Sequence, residues 1–380
     1  MEIKNLKKAA KRIIKAVKNK EKIILYGDAD LDGAAAVLIL KEAIKNLGGN
    51  IISLYFPDRE KEGYGISQTG LEYLKKFAPA LLVTLDLGIG NFKEVKIAKK
   101  LGFEVIIVDH HEILGKIPSA SVVVDPKQKG DEYGFKGLAA AGLSFKLAEL
   151  LLAKKFSRSL KNNFLELTAL ATIADMMPRE KDNKIFIEEG MKSLENSWRP
   201  GLKAIFKVKY FDDFPNLSQK ISKLIYILNV RDVKDGQPAS FRLLDVRSLA
   251  EAEEMIEGLI KKTERRREMI QEALVQAEER LMGSAEKIIF EGDENWEYVL
   301  ISAVASILCQ KYQKPAFIFK KLKKESQGTV RTPSNVNGVS LMGKCQDLLL
   351  TYGGHPVAAG FRVKNENLEK FKECLIKNYA

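Results

Sequence analysis

The run Val105-Ile106-Ile107-Val108 restricts the fold more than any other stretch of the chain. Four β-branched residues in succession offer no polar face to water, so a strand made of them has to be covered on both sides. That is the situation of a central strand in a parallel sheet whose crossover connections are helices. Asp109-His110-His111-Glu112 follows at once and contains two of the three histidines in the chain. Ligands of open α/β sheets bind at the carboxyl ends of the strands, so an acid and two imidazoles fall where chemistry is expected. A polar loop with a chance histidine pair is the competing assignment, and the rest of the chain decides between the two.

The flanking segments repeat the same logic. Ile3, Leu6, Ala10, Ile13 and Val17 recur at helical spacing and predict an amphipathic helix with a lysine face. Strands are predicted at 22–26, 51–56, 80–85 and 121–124, with helices at 34–47, 71–77 and 92–101; residues 137–153 and 164–177 read as packed helices. Strands alternating with helices of about 10–15 residues mean βαβ units and a parallel sheet. Residues 202–244 show little regularity. Ser248-Leu249-Ala250-Glu251 is a capping box. It opens a helix predicted to run to Gly283, about 50 Å at 1.5 Å per residue. Such a length, with Lys261, Lys262 and Arg265-Arg266-Arg267 at its centre, predicts a bridge between domains rather than an ordinary surface helix. Strands at 287–290, 316–319 and 327–331 and helices at 304–312, 341–350 and 368–378 then predict a second, smaller α/β domain. The fold class is therefore α/β: a parallel-sheet domain over 1–246, an interdomain helix over 247–283 and the smaller domain over 284–380.

Composition narrows the partners. The chain of 380 residues is 46% apolar, yet no apolar run approaches the ~20 residues of a membrane span. The Lys-rich N-terminus lacks the hydrophobic core of a secretion signal. Cys309, Cys345 and Cys374 are widely separated and predict neither a disulfide framework nor a zinc site. These features predict a cytoplasmic protein without a membrane partner. Residues 1–22 are net +7 and residues 311–380 net +8 in a chain of net +12, so the middle is acidic. Positive flanks around an acidic centre suit a polyanion drawn toward a metal site, with ordinary solvated surface as the alternative.

Asp28, Asp30 and Asp32 alternate directly after the first predicted strand and repel one another unless cations neutralise them. Gly33 lets the backbone turn tightly into the next helix. The D-x-D-x-D-G start of an EF-hand is matched, but position twelve is Ile39 rather than Glu and a strand precedes, so that assignment fails. Asp86 closes another strand, His110 and His111 a third, and Asp175 falls near the end of a helix. Singly, each is more often a helix cap. Together they supply the carboxylate and imidazole mixture that suits Mn²⁺, Mg²⁺ or Fe²⁺. Two ions ~3.5–4 Å apart can clamp the attacking and leaving oxygens of a phosphoester displacement. No P-loop or G-x-G-x-x-G is present, which argues against nucleoside-triphosphate and dinucleotide chemistry.

At these residues the chain resembles the DHH phosphoesterases and, within them, the RecJ-type single-strand exonucleases. Gly27 to Gly33 is similar to the first family motif, Asp86-Leu87-Gly88-Ile89 to the second, Asp109-His110-His111 to the third and Ala174-Asp175-Met176-Met177-Pro178 to the fourth. Pro57 to Gly65, with Glu62-Gly63-Tyr64-Gly65, resembles a loop of the RecJ-type branch. Gly353-Gly354-His355 with Ala358-Ala359-Gly360-Phe361 resembles the substrate-binding motif of the associated DHHA1-type domain. The resemblance implies two Mn²⁺ ions, with Mg²⁺ as the substitute, held by Asp30, Asp32, Asp86, His110 and Asp175, with Asp86 bridging. His111 would be a ligand or a proton donor, and Asp109 would orient the site from behind. Arg331, His355, Gly353 and Gly354 would bind the substrate phosphates in the second domain, and Arg59 in the first. Many relatives carry a His two residues before Asp28; Tyr26 stands there, which leaves open whether Asp28 serves as a ligand. Asn229-Val230-Arg231 sits near an Asn/Arg motif of the RecJ-type branch at a different spacing. RecJ-type relatives also carry an OB-type domain beyond the second, and this chain stops at Ala380.

The implied function is a two-metal phosphodiesterase that releases mononucleotides from the 5′ end of single-stranded DNA, with DNA favoured over RNA. Tyr64 and Phe361 are candidate platforms for base stacking, against plain packing. The alternatives are a phosphodiesterase of oligoribonucleotides or cyclic dinucleotides, and a non-catalytic replication or repair scaffold. Protein partners are not specified.

Overall fold

A computed structural model describes residues 2–59, 61–113, 115–282 and 286–379. It divides into two compact units, Met1–Ile260 and Lys261–Ala380. Glu60, within the Pro57 to Gly65 loop, and Gly283, the predicted end of the long helix, lie outside the described residues.

In the first unit, α1 (Leu6–Lys18) leads to β1 (Lys22–Gly27), α2 (Leu31–Asn46), β2 (Asn50–Tyr55), α3 (Gln68–Leu74), β3 (Ala80–Leu85), α4 (Phe92–Lys100), β4 (Phe103–Val108) and β5 (Val122–Val124). The five strands are parallel in the order β2-β1-β3-β4-β5. Alternation along each strand divides the core. Ile23, Leu25, Leu81, Val83, Leu85, Ile106 and Val108 face one layer, and Ile24, Tyr26, Leu82, Val105 and Ile107 the other. Both faces are covered, as the Val105–Val108 run required. The strand order reverses between β1 and β3, which makes their carboxyl ends the topological switch point where such sheets place ligands.

The remaining helices of this unit are α5 (Ala140–Leu152), α6 (Arg158–Ala174), α7 (Lys181–Leu194), α8 (Pro200–Lys203), α9 (Leu217–Leu228) and α10 (Ala239–Asp245), with a short hairpin of β6 (Val233–Lys234) and β7 (Gln237–Pro238) before α10. Helix α7 has no counterpart in the sequence reading. It packs closely on α6 through Gly190, where a Cβ would stand 2.3 Å from the Leu165 carbonyl oxygen and 2.6 Å from the Ala169 Cβ. The 202–244 stretch, which lacked a pattern, contains four buried residues of α9 spaced for one helical face: Ile221, Leu224, Ile227 and Leu228.

Helix α11 (Leu249–Leu281) begins as the capping box predicts, the Glu251 amide donating to Ser248 Oγ at 3.2 Å. Ala252, Ile256, Leu259 and Ile260 belong to the core of the first unit, and Ala273, Leu274 and Ala277 to a core of the second. In the second unit β8 (Ile289–Asp293), α12 (Tyr298–Tyr312), β9 (Ala316–Lys321), β10 (Glu325–Arg331), α13 (Gly338–Gly343), β11 (Leu349–His355), β12 (Ala358–Lys364) and α14 (Leu368–Asn378) follow in order. Their sheet runs β11-β12-β10-β9-β8, parallel only between β8 and β9.

Two expectations are corrected here, and one unassigned segment is placed. The helix expected over 341–350 is the end of α13, a 3-10 turn and the start of β11; Gly343, in the middle of that stretch, breaks the helical pattern. The glycine-rich segment after it, which the sequence left without a secondary-structure assignment, is the hairpin β11–β12. The cysteines predicted to be unpaired include a disulfide, Cys345–Cys374, because folding brings the end of α13 against α14; Cys309 stays free and buried. Among the described residues no helix is long and apolar enough to cross a membrane.

Candidate metal centre

The carboxyl ends of β1, β3 and β4 and the C-terminus of α6 deliver the predicted acids and imidazoles to one place. His110 Nε2 lies 3.1 Å from Asp86 Oδ1 and 3.6 Å from both Asp32 Oδ2 and Asp175 Oδ2. Among the described residues three groupings have ligand atoms within 4.8 Å of one another: Asp86, His110 and His111; Asp32, His110 and Asp175; Asp28, Asp30 and Asp86. Asp86 and His110 each belong to two of them. Asp86 also takes a left-handed backbone (φ 65°), uncommon for a residue other than glycine and the sort of strain that accumulates at functional sites.

The surrounding backbone holds these side chains firmly. The Ala140 and Ala141 amides, at the N-terminus of α5, donate to the two Asp32 oxygens at 2.7 and 2.8 Å. A helix start supplies both free N–H groups and a positive dipole end, so Asp32 is buried without a side-chain cation. Asp30 caps α2, accepting from the Gly33 amide at 3.0 Å. Gly33 is needed for close approach, since a Cβ there would lie 2.4 Å from the Asp28 carbonyl oxygen. Asp109, fully buried, accepts from the amides of Ile89 (2.9 Å), His110 (2.7 Å) and His111 (3.2 Å), and lies 2.8 Å from His111 Nδ1. One carboxylate thus ties β4 to the loop after β3.

Charge balance sets the protonation states. Burial, then the charge of Asp30, pushes Asp32 well above the usual carboxylate range. Burial, then Asp32, does the same to Asp86. Asp175 is pushed up to about 6 by burial and by Asp30. His110 is brought down to about 4 by burial and by its neighbour His111, so at neutral pH it is an uncharged imidazole with a lone pair to give. Burial is the largest single influence and acts to raise Asp109 and to lower His111, but the hydrogen bond and opposite charges between them, with the Ile89 amide on Asp109 and the acids around His111, together outweigh it: Asp109 goes down and His111 up.

Arg59 makes a bidentate ion pair with Asp28, its Nε lying 2.9 Å from Oδ1, and reaches Asp30 Oδ2 at 2.8 Å. Expected as a phosphate ligand, it is engaged here as the countercharge of the first motif. Arg231 pairs with Asp58 at 2.7 and 3.0 Å, and both arginines line a cavity of about 270 Å³ with Asp30, Asn229 and Pro238. Tyr26 is buried on the opposite face of β1, accepting from the Ser67 amide at 3.0 Å, and does not face the acids. Tyr64 is 54% exposed as a residue; its hydroxyl donates to the Asp86 carbonyl at 2.9 Å and touches His111 at 3.1 Å. Phe361, expected as a possible stacking platform, is instead core, packed among Phe317, Phe319 and Phe371. The α5 amides on Asp32 and the Tyr64 hydroxyl had no readable signal in the sequence. Asp125, buried at the end of β5 beside Asp109 in the strand order and pushed up to about 7 by burial, was also missed; its place directly after Val122–Val124 was the available clue.

In the second unit Arg331, Ala358 and His355 form one row across β10, β12 and β11, so the arginine and histidine share a face. Gly353 and Gly354 stand opposite Gly360 and Ala359 in the same hairpin. Arg331 is half-buried and held by Ser302 Oγ at 2.5 Å and Thr329 Oγ1 at 3.0 Å.

A cation fits the first cluster on the structure's own terms. His110 Nδ1 and Asp175 Oδ2 are buried without a hydrogen-bond partner among the described residues, and Arg59 reaches only Asp28 and Asp30 of the acids gathered there. The donor set of carboxylates and neutral imidazole is that of Mn²⁺ and Mg²⁺. Fold and site thus define a class of α/β proteins that hold divalent cations at a switch-point cluster of acids and imidazoles. Residues 22–172 match the DHH family, N-terminal domain, and residues 285–379 the DHHA1 domain. It is 33% identical to the single-stranded-DNA-specific exonuclease RecJ of Bacillus subtilis (strain 168) over 98% of this chain and 48% of that protein. It is 29% identical to the protein of the same name from Thermus thermophilus, over 100% of this chain and 55% of that one. The chain spans about half the length of these two relatives. Among solved structures, the exonuclease RecJ bound to manganese is similar at a TM-score of 0.83 and 26% identity, covering 99% of this chain and 94% of that one.

Proposed function

We propose that this chain is a cytoplasmic two-metal phosphodiesterase that removes mononucleotides from the 5′ end of single-stranded DNA, with a role in DNA repair and recombination. The observation that carries the proposal is the convergence of Asp32, Asp86 and Asp175, from three separate elements, on the Nε2 of one buried imidazole, His110. Relatives named single-stranded-DNA-specific exonucleases over nearly the whole chain, and a manganese-bound neighbour, support it. In this reading residues 1–246 are the catalytic DHH domain, 247–283 the interdomain helix and 284–380 the DHHA1-type substrate-binding domain.

Asp28, Asp30, Asp32, Asp86, His110 and Asp175 would hold the ions, with Asp86 shared between two groupings as a bridging carboxylate is. When bound, the ions would activate water and neutralise charge on the scissile phosphate. The residues of the chain do the rest. Asp109 fixes the ring plane of His111 and keeps its Nδ1 protonated. His111, its proton affinity raised, is then suited to give a proton from Nε2 to a leaving oxygen. The α5 amides hold Asp32 so that it does not rotate away when the site fills. Arg59, at the mouth of its cavity, is placed to exchange its hold on Asp28 for a phosphate once cations neutralise that acid, a task that suits its forked guanidinium. Arg331, His355, Gly353 and Gly354 would bind the phosphate backbone from the second unit.

The test is product analysis with Mn²⁺ on long single strands labelled at the 5′ or the 3′ end, beside RNA and cyclic dinucleotide. Early release of labelled mononucleotide from the 5′-labelled DNA alone is expected. Release first from the 3′ label overturns the polarity, and preferential turnover of RNA or cyclic dinucleotide overturns the substrate. Activity that survives in both Asp86→Asn and His110→Ala proteins overturns the site, and no turnover of any of these substrates by the wild-type protein favours a scaffold.

A further inference from the structure

The lysine face of α1 takes no part in the centre described above. The helix has five lysines, one arginine and no acid in its thirteen residues. Arg12 turns inward to Glu21 and Glu104, and Lys7 pairs with Glu2. Lys8, Lys11, Lys15 and Lys18 are exposed and make no ion pair among the described residues. Their 3-4-3 spacing puts them in one stripe, on the order of 15 Å long. Like charges three and four apart weaken a helix, and a helix that only has to be soluble interleaves signs, as α11 does with Glu264, Arg265, Arg267 and Glu268. A stripe of one sign left unpaired points to a polyanion.

Its place in the fold says which one. Asn5 Nδ2 donates to the Val123 carbonyl at 2.9 Å, and Lys4 binds the 129–131 loop through the Lys129 carbonyl and Asp131, both at 2.7 Å. The start of α1 is therefore fastened to the carboxyl end of β5, the strand next to the one that ends in His110 and His111. Lys129, whose carbonyl accepts from Lys4 Nζ, is itself exposed. A basic amphipathic helix can also lie on an anionic membrane, but that requires an apolar face free to insert. Leu6, Ala9, Ala10, Ile13 and Ala16 are buried in the core, so α1 has none to offer.

We propose that the Lys8, Lys11, Lys15 and Lys18 stripe is a docking surface for the phosphate backbone of a nucleic-acid strand whose end lies in the metal centre, an inference that rests on the phosphodiesterase reading above. It gives the protein sequence-independent hold on a long strand and none on a short one.

The test compares binding by the Asp86→Asn protein, which should leave strands intact, with and without Lys8, Lys11, Lys15 and Lys18 changed to Gln. For a single strand of about 40 nucleotides the added changes should weaken binding about tenfold or more and flatten the log K against log salt slope by about 3, at about 0.7 per contact. Binding of a tetranucleotide should not change. An unaltered long-strand affinity and slope overturns the inference. So does an equal loss on both strands, or capture of the parent by anionic phosphatidylserine vesicles that is lost with the lysines while DNA binding is kept. Should the fourfold variant not fold by circular dichroism, the Lys8/Lys11 and Lys15/Lys18 pairs are changed separately, each expected to remove about half of the slope change. Because binding is read, a wild-type protein that cleaves nothing would refute the activity without altering this comparison.

Discussion

At the scale of single residues, the centre depends on groups that are costly to bury without a cation. Asp109 is the exception, since three amides and His111 satisfy it. Asp109→Asn keeps the shape but loses an acceptor and the pull on the His111 proton. An outer partner of this kind is worth about 10–100-fold, and the expected result is a loss of that size in kcat with the KM for DNA little changed, read by steady-state kinetics. Asp32 and Asp86 behave in the opposite sense. Their folded-state proton affinity lies above that of the unfolded chain, so the native state binds more protons. Stability without metal must therefore fall as pH rises from the ordinary carboxylate value, near 4, upward. Thermal melting in EDTA should show Tm decreasing from pH 5 to pH 8, and saturating Mn²⁺ should suppress that decrease by adding about 2.7 kcal/mol at 100 times Kd. Asp86→Asn should melt higher than wild type in EDTA at pH 8 and gain less from Mn²⁺. A wild-type Tm that ignores both pH and Mn²⁺ would contradict the site. Most of these residues were legible in the sequence because an acid directly after an apolar strand is a local feature. Tyr64 was legible only as an exposed aromatic, since its hydroxyl meets His111 across 47 positions.

At the scale of elements, α6 matters because its C-terminus carries Asp175. Its closeness to α7 depends on Gly190. Gly190→Ala forces the helices apart, an overpacking that costs about 1–3 kcal/mol; the checks are a lower Tm and, by displacement of Asp175, weaker Mn²⁺ binding by calorimetry. The second unit has its own fastening in Cys345–Cys374. Closing 29 residues of chain is worth on the order of 3 kcal/mol, so Cys374→Ser or reductant should lower its stability and loosen α13 and α14 in hydrogen exchange. In a reducing compartment the pair would stand as thiols, and mass spectrometry of peptides from cells lysed under alkylation would read which form prevails. Strands β1, β3 and β4 were readable because they are apolar over their whole length. Strand β11 was not, because it is exposed along nearly its whole length and has two glycines near its end, so no buried face marks it, although β12 does alternate, with Ala359, Phe361 and Val363 buried.

At the scale of the whole molecule, the two units have separate cores, and α11 contributes to both. A cation held by residues 28–175 should stabilise the first unit alone. Hydrogen exchange of the intact chain with and without Mn²⁺ should show added protection at the ends of β1, β3 and β4 and the start of α5, and none in β8–β12. Equal protection of both sheets would place a cation site in the second unit as well.

What the amino-acid order determined by itself is local: apolar strands, amphipathic helices, a long capped helix, and acids at strand ends whose mutual repulsion calls for a metal. Those follow from burial and from Coulomb's law between near neighbours. Only tertiary structure decided that Asp32 would sit on the amides of α5, that Arg59 would turn to Asp28, that Phe361 would be core and that two distant cysteines would meet. Each of those depends on where two elements far apart in the chain come together, and nothing in either element states where the other will lie.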